Sequence, residues 1–110
     1  MSIIRVTIFL SILFFPLLVN ASNESLSNNL ALEAIEVSEK DLESAIFLIQ
    51  QSVVADPKNA KAWAIAGKIY LLNDDVSSAE RFYIKAKALG PLLKDVKDLE
   101  SLITNKKKEE

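Results

Sequence analysis

The sequence predicts an all-α chain: a short α-solenoid of two stacked helical hairpins plus a C-terminal capping helix, preceded by an N-terminal signal sequence. Two adjoining segments carry bulky and small apolar residues at offsets of three and four, Trp63, Ala66, Gly67 and Tyr70 on one and Ala79, Tyr83 and Ala86 on the next. That spacing gives each helix one stripe, and two such stripes pack face to face. The segment Asp41-Leu42-Glu43-Ser44-Ala45 parallels Asp75-Val76-Ser77-Ser78-Ala79, so the second half of a hairpin occurs twice. Residues 1 to 21 stand apart, with Arg5 as their only charge.

Within that leader, Val6 to Val19 is free of charge and is interrupted by Pro16. The apolar core is shorter than the roughly 20 residues of an ordinary membrane span. Val19-Asn20-Ala21 places small side chains ahead of Ser22, as a signal peptidase requires. Export with cleavage before Ser22 is the expectation. The rival is an uncleaved anchor, because Ile3 and Ile4 extend the apolar run past Arg5.

Ser22 to Asn29 has Ser or Asn at six of its eight positions and reads as a polar linker or the start of a helix. Apolar residues then crowd Leu30 to Val37, while Glu33, Glu36 and Glu39 form a polar stripe of an amphipathic helix. The three glutamates are expected to be a solvated face rather than a cation site, since no fixed turn brings other oxygen ligands to them. Helices are expected over about 24–38, 41–55, 59–72, 75–89 and 91–105. Asp41 and Asp75 suit N-caps, Asn59 caps the helix that carries Trp63, and Pro57 cannot extend the helix before it. Gly90 ends the fourth helix and Pro91 is expected in the first turn of the fifth. Leu92, Val96, Leu99 and Ile103, widened by Leu93 and Leu102, give that helix one apolar face to cover the end of the array. Domain bounds follow: a signal peptide at 1–21, a linker at 22–29, the helical domain at 30–104 and a charged, frayed tail at 105–110.

The marks Trp63, Gly67, Tyr70, Ala79, Tyr83 and Pro91 resemble the tetratricopeptide repeat, a helix-turn-helix unit of about 34 residues. One full unit spans 60–93 and a degenerate one about 26–59. Ala66 stands where the family has leucine, and Asn73, Asp74 and Asp75 replace the usual glycine turn, which Asn and Asp tolerate because they accept a left-handed backbone. Asp41, Ala45 and Pro57 lie one repeat length, about 34 residues, ahead of Asp75, Ala79 and Pro91. The same offset from Gly67 and Tyr70 lands on Glu33 and Glu36, which cannot be buried unpaired. One extra residue in the turn at 38–40 would instead point Ala31, Leu32 and Ile35 at the second helix. Gly67 and Ala79 are expected to face each other where the hairpin backbones approach most closely.

The chain has no Cys and no His, which excludes disulfides, Cys/His zinc sites and nucleophile pairs built on His. Its formal charge of −2 and its lack of a basic face disfavour nucleic acid. The acids are scattered over helix exteriors, no glycine-rich phosphate loop is present and no cofactor is expected, so an enzyme is the weak reading. What the family resemblance implies is a groove, lined by the first helix of each unit, that takes a protein or peptide partner. Here its residues are Lys61, Ala64, Lys68 and Leu71, extended upstream by Leu30, Ala34 and Val37, and the two lysines would receive an acidic or C-terminal group. An array shorter than the usual three repeats is also expected to self-associate weakly. The leading functional reading is an exported adaptor or accessory subunit. The alternative is a subunit tethered to a membrane complex by its N-terminal segment.

Overall fold

A computed structural model describes residues 22–109, so the signal-peptide expectation lies outside the described residues. Five helices follow one another there: α1 (Glu24–Ser38), α2 (Leu42–Ala55), α3 (Ala60–Leu72), α4 (Val76–Leu89) and α5 (Lys94–Glu109). No strand occurs among the described residues, and none of these helices is long and apolar enough to cross a membrane.

Four of the helices start on a side chain that takes up a free backbone amide of the first turn. Asn23 accepts from the Leu26 amide at 2.9 Å, Asp41 from Ser44 at 3.2 Å, Asn59 from Ala62 at 3.4 Å and Asp75 from Ser78 at 3.0 Å. Hydrogen bonds from Ser44 and Ser78 hold the Asp41 and Asp75 carboxyls below their ordinary value of 3.8. A carboxyl lowered by folding stabilises the fold above its unfolded pKa, and that contribution disappears as pH falls through the lower folded value. Thermal melts followed by circular dichroism are therefore expected to be level from pH 7 down to about 4 and to fall below it. Asp41→Asn together with Asp75→Asn should flatten that acid limb, because Asn caps without titrating.

α1 and α2 form the first hairpin and α3 and α4 the second. The start of α1 meets the end of α2, where the Asn23 amide donates to the Ala55 carbonyl at 2.8 Å. The second hairpin closes likewise: a methyl built on Gly90 would stand 3.0 Å from the Ala60 methyl. Between the hairpins lies a core of Ala31, Ala34, Ala45, Ile49, Ile65, Ala66 and Ile69. A second core joins Ala64, Leu71, Ala79, Ala86, Val96, Leu99 and Ile103, so α5 covers the far side of the second hairpin. An α-solenoid-like arrangement of stacked hairpins with a terminal helix is what the packing gives.

Several expectations need correction. Of the two readings of residues 22–29, the start of a helix is the one found for 24–29, which belong to α1: Ser27 is fully buried, its hydroxyl donating to the Ser52 carbonyl at 2.8 Å while the Ser52 hydroxyl donates to the Ser27 carbonyl at 2.6 Å. Asn59 adds donations to the Ser27 hydroxyl and to the Asn28 side-chain oxygen, at 3.0 and 2.8 Å, which ties the start of α3 to α1. Polar composition here marks a satisfied internal network, which the sequence alone cannot distinguish from a solvated stretch.

The slip in the upstream unit also runs opposite to the expected direction. The Asp75 amide donates to the Tyr70 carbonyl and the Asp41 amide to Val37, so the first turn closes one residue sooner than the second. Asp74, with φ 57°, is the residue that the second turn has in addition. Ser27, Ala31 and Ala34 are therefore buried, while Leu32 and Ile35 are half exposed. Glu33, Glu36 and Glu39 face solvent, as the amphipathic reading requires.

At the other end, α5 begins at Lys94, after a turn in which the Leu93 amide donates to the Gly90 carbonyl at 3.2 Å. Pro91 stands in that turn, and Leu92 points outward at 83% exposure, so it is not part of the covering stripe. Residues 105–109 continue α5 instead of fraying. The extension is held across the hairpin by Lys106 on Asp74, at 3.0 Å, and by Lys107 on Glu80.

Gly67 serves a neighbour the sequence reading did not name. A methyl at this position would land on the Leu99 side chain, whose Cδ1 lies 3.0 Å away. The glycine therefore admits the capping helix, and Ala79 packs in the same cluster as Leu99. Tyr83 turns to α5 as well, its hydroxyl donating to Glu100 at 2.6 Å. Phe82, the preceding residue, holds the hairpin: its ring lies 5.8 Å from Trp63 and 4.9 Å, edge on, from Tyr70. Aromatic pairs at these separations prefer such tilted or edge-to-face arrangements.

Candidate docking surface

The seven residues expected to line a groove do not share a surface. Ala34 and Ala64 are fully buried and Leu71 is nearly so, Ala34 in the core between the hairpins and the other two in the core under α5. Val37 packs partly buried against the first of these cores. Lys68 pairs with Asp95 at 3.2 Å and approaches Asp98 at 4.0 Å, so α5 supplies the carboxylates that a peptide was expected to bring. Lys61 is half-buried on α3. Lys68 and Leu71 border a shallow cleft against α5, and Leu30 opens onto a different, apolar one.

That cleft has a volume of about 540 Å³ and lies between α1 and α2. Leu26 and Leu30 form one wall, and Phe47, Val54 and Ala55, with Gln50 and Gln51, form the other. On α2 the buried residues Ala45, Ile49 and Ser52 define the inward face, and Phe47 and Val54 sit on its opposite side at 61% and 77% exposure. The lining holds no ionisable side chain. Gln50 is steadied by its amide, which donates to the Tyr70 hydroxyl at 3.0 Å. The sequence carried a signal for this surface: Phe47, Gln50, Gln51 and Val54 recur at offsets of three and four on the side of α2 away from Ala45 and Ile49.

Electrostatics elsewhere describe a surface of paired charges. Lys94, paired with Asp98 at 2.8 Å, has its ammonium raised above its ordinary value by that hydrogen bond, and the Asp98 carboxyl is lowered by the same contact. The hydrogen bond to Glu100 raises the Tyr83 phenol above its ordinary value. Lys85 stands 5.9 Å over the Trp63 ring, whose indole N–H donates to the Pro57 carbonyl at 2.7 Å. Among the described residues, no group of three or more carboxylates gathers where it could hold a metal ion. These shifts are those of caps and surface pairs, with no two groups driven apart as acid–base partners.

No family model, curated protein or solved structure matches the chain.

Proposed function

We propose that this chain is a non-enzymatic protein-interaction module of the tetratricopeptide type, acting as an adaptor or accessory subunit after export to the cell envelope or the outside. The observation that carries this reading is the asymmetry of the array. One end is closed by α5, whose Val96, Leu99 and Ile103 are buried, whereas the other presents Leu26, Leu30, Phe47 and Val54 around an uncharged cleft. Terminal elements of repeat proteins ordinarily carry a polar outer face, so an apolar end is a surface left for something else to cover. The partner is a protein or peptide with an apolar face, and nucleic acid is disfavoured by the uncharged lining and the acidic balance of the chain.

Residues 22–110, immobilised and exposed to an extract of the native host, are expected to retain a protein that Phe47→Glu with Val54→Glu loses by at least about tenfold, since each charge would have to be desolvated at an apolar interface. Ile84→Glu, on the exposed side of α4, should leave retention unchanged. Equal retention by all three chains would contradict docking through the cleft. Tethering at a membrane through residues 1–21 is the alternative placement, and the mature N-terminus measured by mass spectrometry separates it from export.

A further inference from the structure

We infer that the partner of the cleft between α1 and α2 is a basic amphipathic helix, whose apolar side chains enter the cleft while its Lys or Arg side chains reach Glu33 and Glu43. The inference rests on the proposed docking role of that cleft and adds the chemistry of what docks. Glu43 stands four residues before Phe47 on the outer stripe of α2, and Glu33 three residues after Leu30 on α1, so each is the surface neighbour of a lining residue. Both are exposed, and neither takes part in an ion pair among the described residues. The bond from the Asn23 amide to the Ala55 carbonyl marks the opposite end of the hairpin, so both glutamates lie toward its turn. The surface is therefore apolar from Leu26 and Val54 to Phe47 and acidic beyond.

The imbalance runs through the whole first hairpin. From Ser22 to Pro57 the chain has seven acidic residues and one basic, Lys40, whereas Lys58 to Glu110 has eight acidic and eleven basic. Carboxylates of the second half meet lysines of their own half, as Asp95 meets Lys68 and Glu80 meets Lys107. Negative potential is thus concentrated at the end of the array left open to a partner. That sign selects among occupants. A second copy docked cleft to cleft would set one acidic hairpin against another, and an anionic lipid surface would be repelled in the same way. A basic segment gains at both glutamates. Its form follows from the geometry: no strand edge is offered among the described residues, whereas Phe47 and Val54 lie two helical turns apart, about 10 Å, which matches anchors at i, i+3, i+4 and i+7 of a docked helix. The basic side chains belong about one turn beyond those anchors, as Glu43 does beyond Phe47.

Two synthetic helical peptides of about 16 residues serve as probes, sharing one leucine stripe at i, i+3, i+4 and i+7 and differing in a terminal turn of lysines or of glutamates. By fluorescence anisotropy at about 0.1 M salt, residues 22–110 are expected to bind the lysine peptide at least about tenfold more tightly than the glutamate peptide, with the difference shrinking at about 1 M salt. Glu33→Lys with Glu43→Lys should reverse the preference, and Phe47→Ala with Val54→Ala should weaken both peptides. Equal binding of the two peptides, lost in the Phe47→Ala, Val54→Ala chain, would overturn the basic partner and leave docking in the cleft standing. A preference that survives the charge reversal would also overturn it, since the lysines would then be read elsewhere. So would a rise in mass with concentration, measured by sedimentation, that Phe47→Ala with Val54→Ala abolishes, because the cleft would then belong to a second chain.

Discussion

Leu99→Ala is expected to lower the unfolding free energy of residues 22–110 by about 2 to 5 kcal/mol, the range for emptying a fully buried leucine site. Leu99 has no exposed surface, packs with Val96 and Ile103 among residues of α3 and α4, and fills the space that Gly67 leaves open. A small domain has only about 5 to 15 kcal/mol in total, so a loss of this size is a large fraction of what holds the cap in place. The glycine gives the result its signature. Gly→Ala within a helix ordinarily gains up to about 1 kcal/mol, yet here the added methyl meets the fully buried Leu99 side chain, which would have to shift within a packed core to admit it. Gly67→Ala should therefore destabilise the parent chain and stabilise the Leu99→Ala chain. Urea melts of the four proteins measure the reversal, and additive effects would show that the two residues do not touch.

Phe82→Ala is expected to cost about 2 to 4 kcal/mol, somewhat less than for a fully enclosed ring because Phe82 is only partly buried. Its ring is shared by Trp63 and Tyr70, so the substitution removes two aromatic contacts at once. Trp63 is the only tryptophan, which makes the change visible without a label. Its emission should move to longer wavelength as water reaches the indole. Phe82→Leu should retain most of the stability while losing the ring contacts, each worth about 0.5 to 1.5 kcal/mol. An unshifted emission spectrum in Phe82→Ala would place the indole elsewhere.

The helices were legible in the sequence because local rules suffice for them. Asp41, Asn59 and Asp75 are caps by chemistry, and the offsets of three and four around Ala79 and Ile103 require no knowledge of their neighbours. What failed depends on the identity of the neighbour. Gly67 announces a close approach and does not say to what, so Leu99 was missed in favour of Ala79. Phe82 and Tyr83 are adjacent aromatics pointing to different neighbours, and only packing decides which one serves the hairpin and which one the cap. Ser27 and Ser52 satisfy one another across two helices, a pairing invisible in a polar run. The surroundings of the groove residues were hidden for a related reason: Lys68 looked available until α5 brought Asp95 to it. The cleft was written along α2, but Phe47 and Val54 read equally as ordinary exposed apolar residues until Leu26 and Leu30 were placed opposite them.

The difference between a closed end and an open end is the claim on which the proposed role depends, and the contact that closes the first is between Gly67 and Leu99. In residues 22–110 with methyl-labelled leucine, nuclear Overhauser spectra should show strong cross-peaks from the Leu99 methyls to the Gly67 Hα protons. Leu99 methyls with no such cross-peak, exchanging magnetisation with water instead, would contradict the capped array.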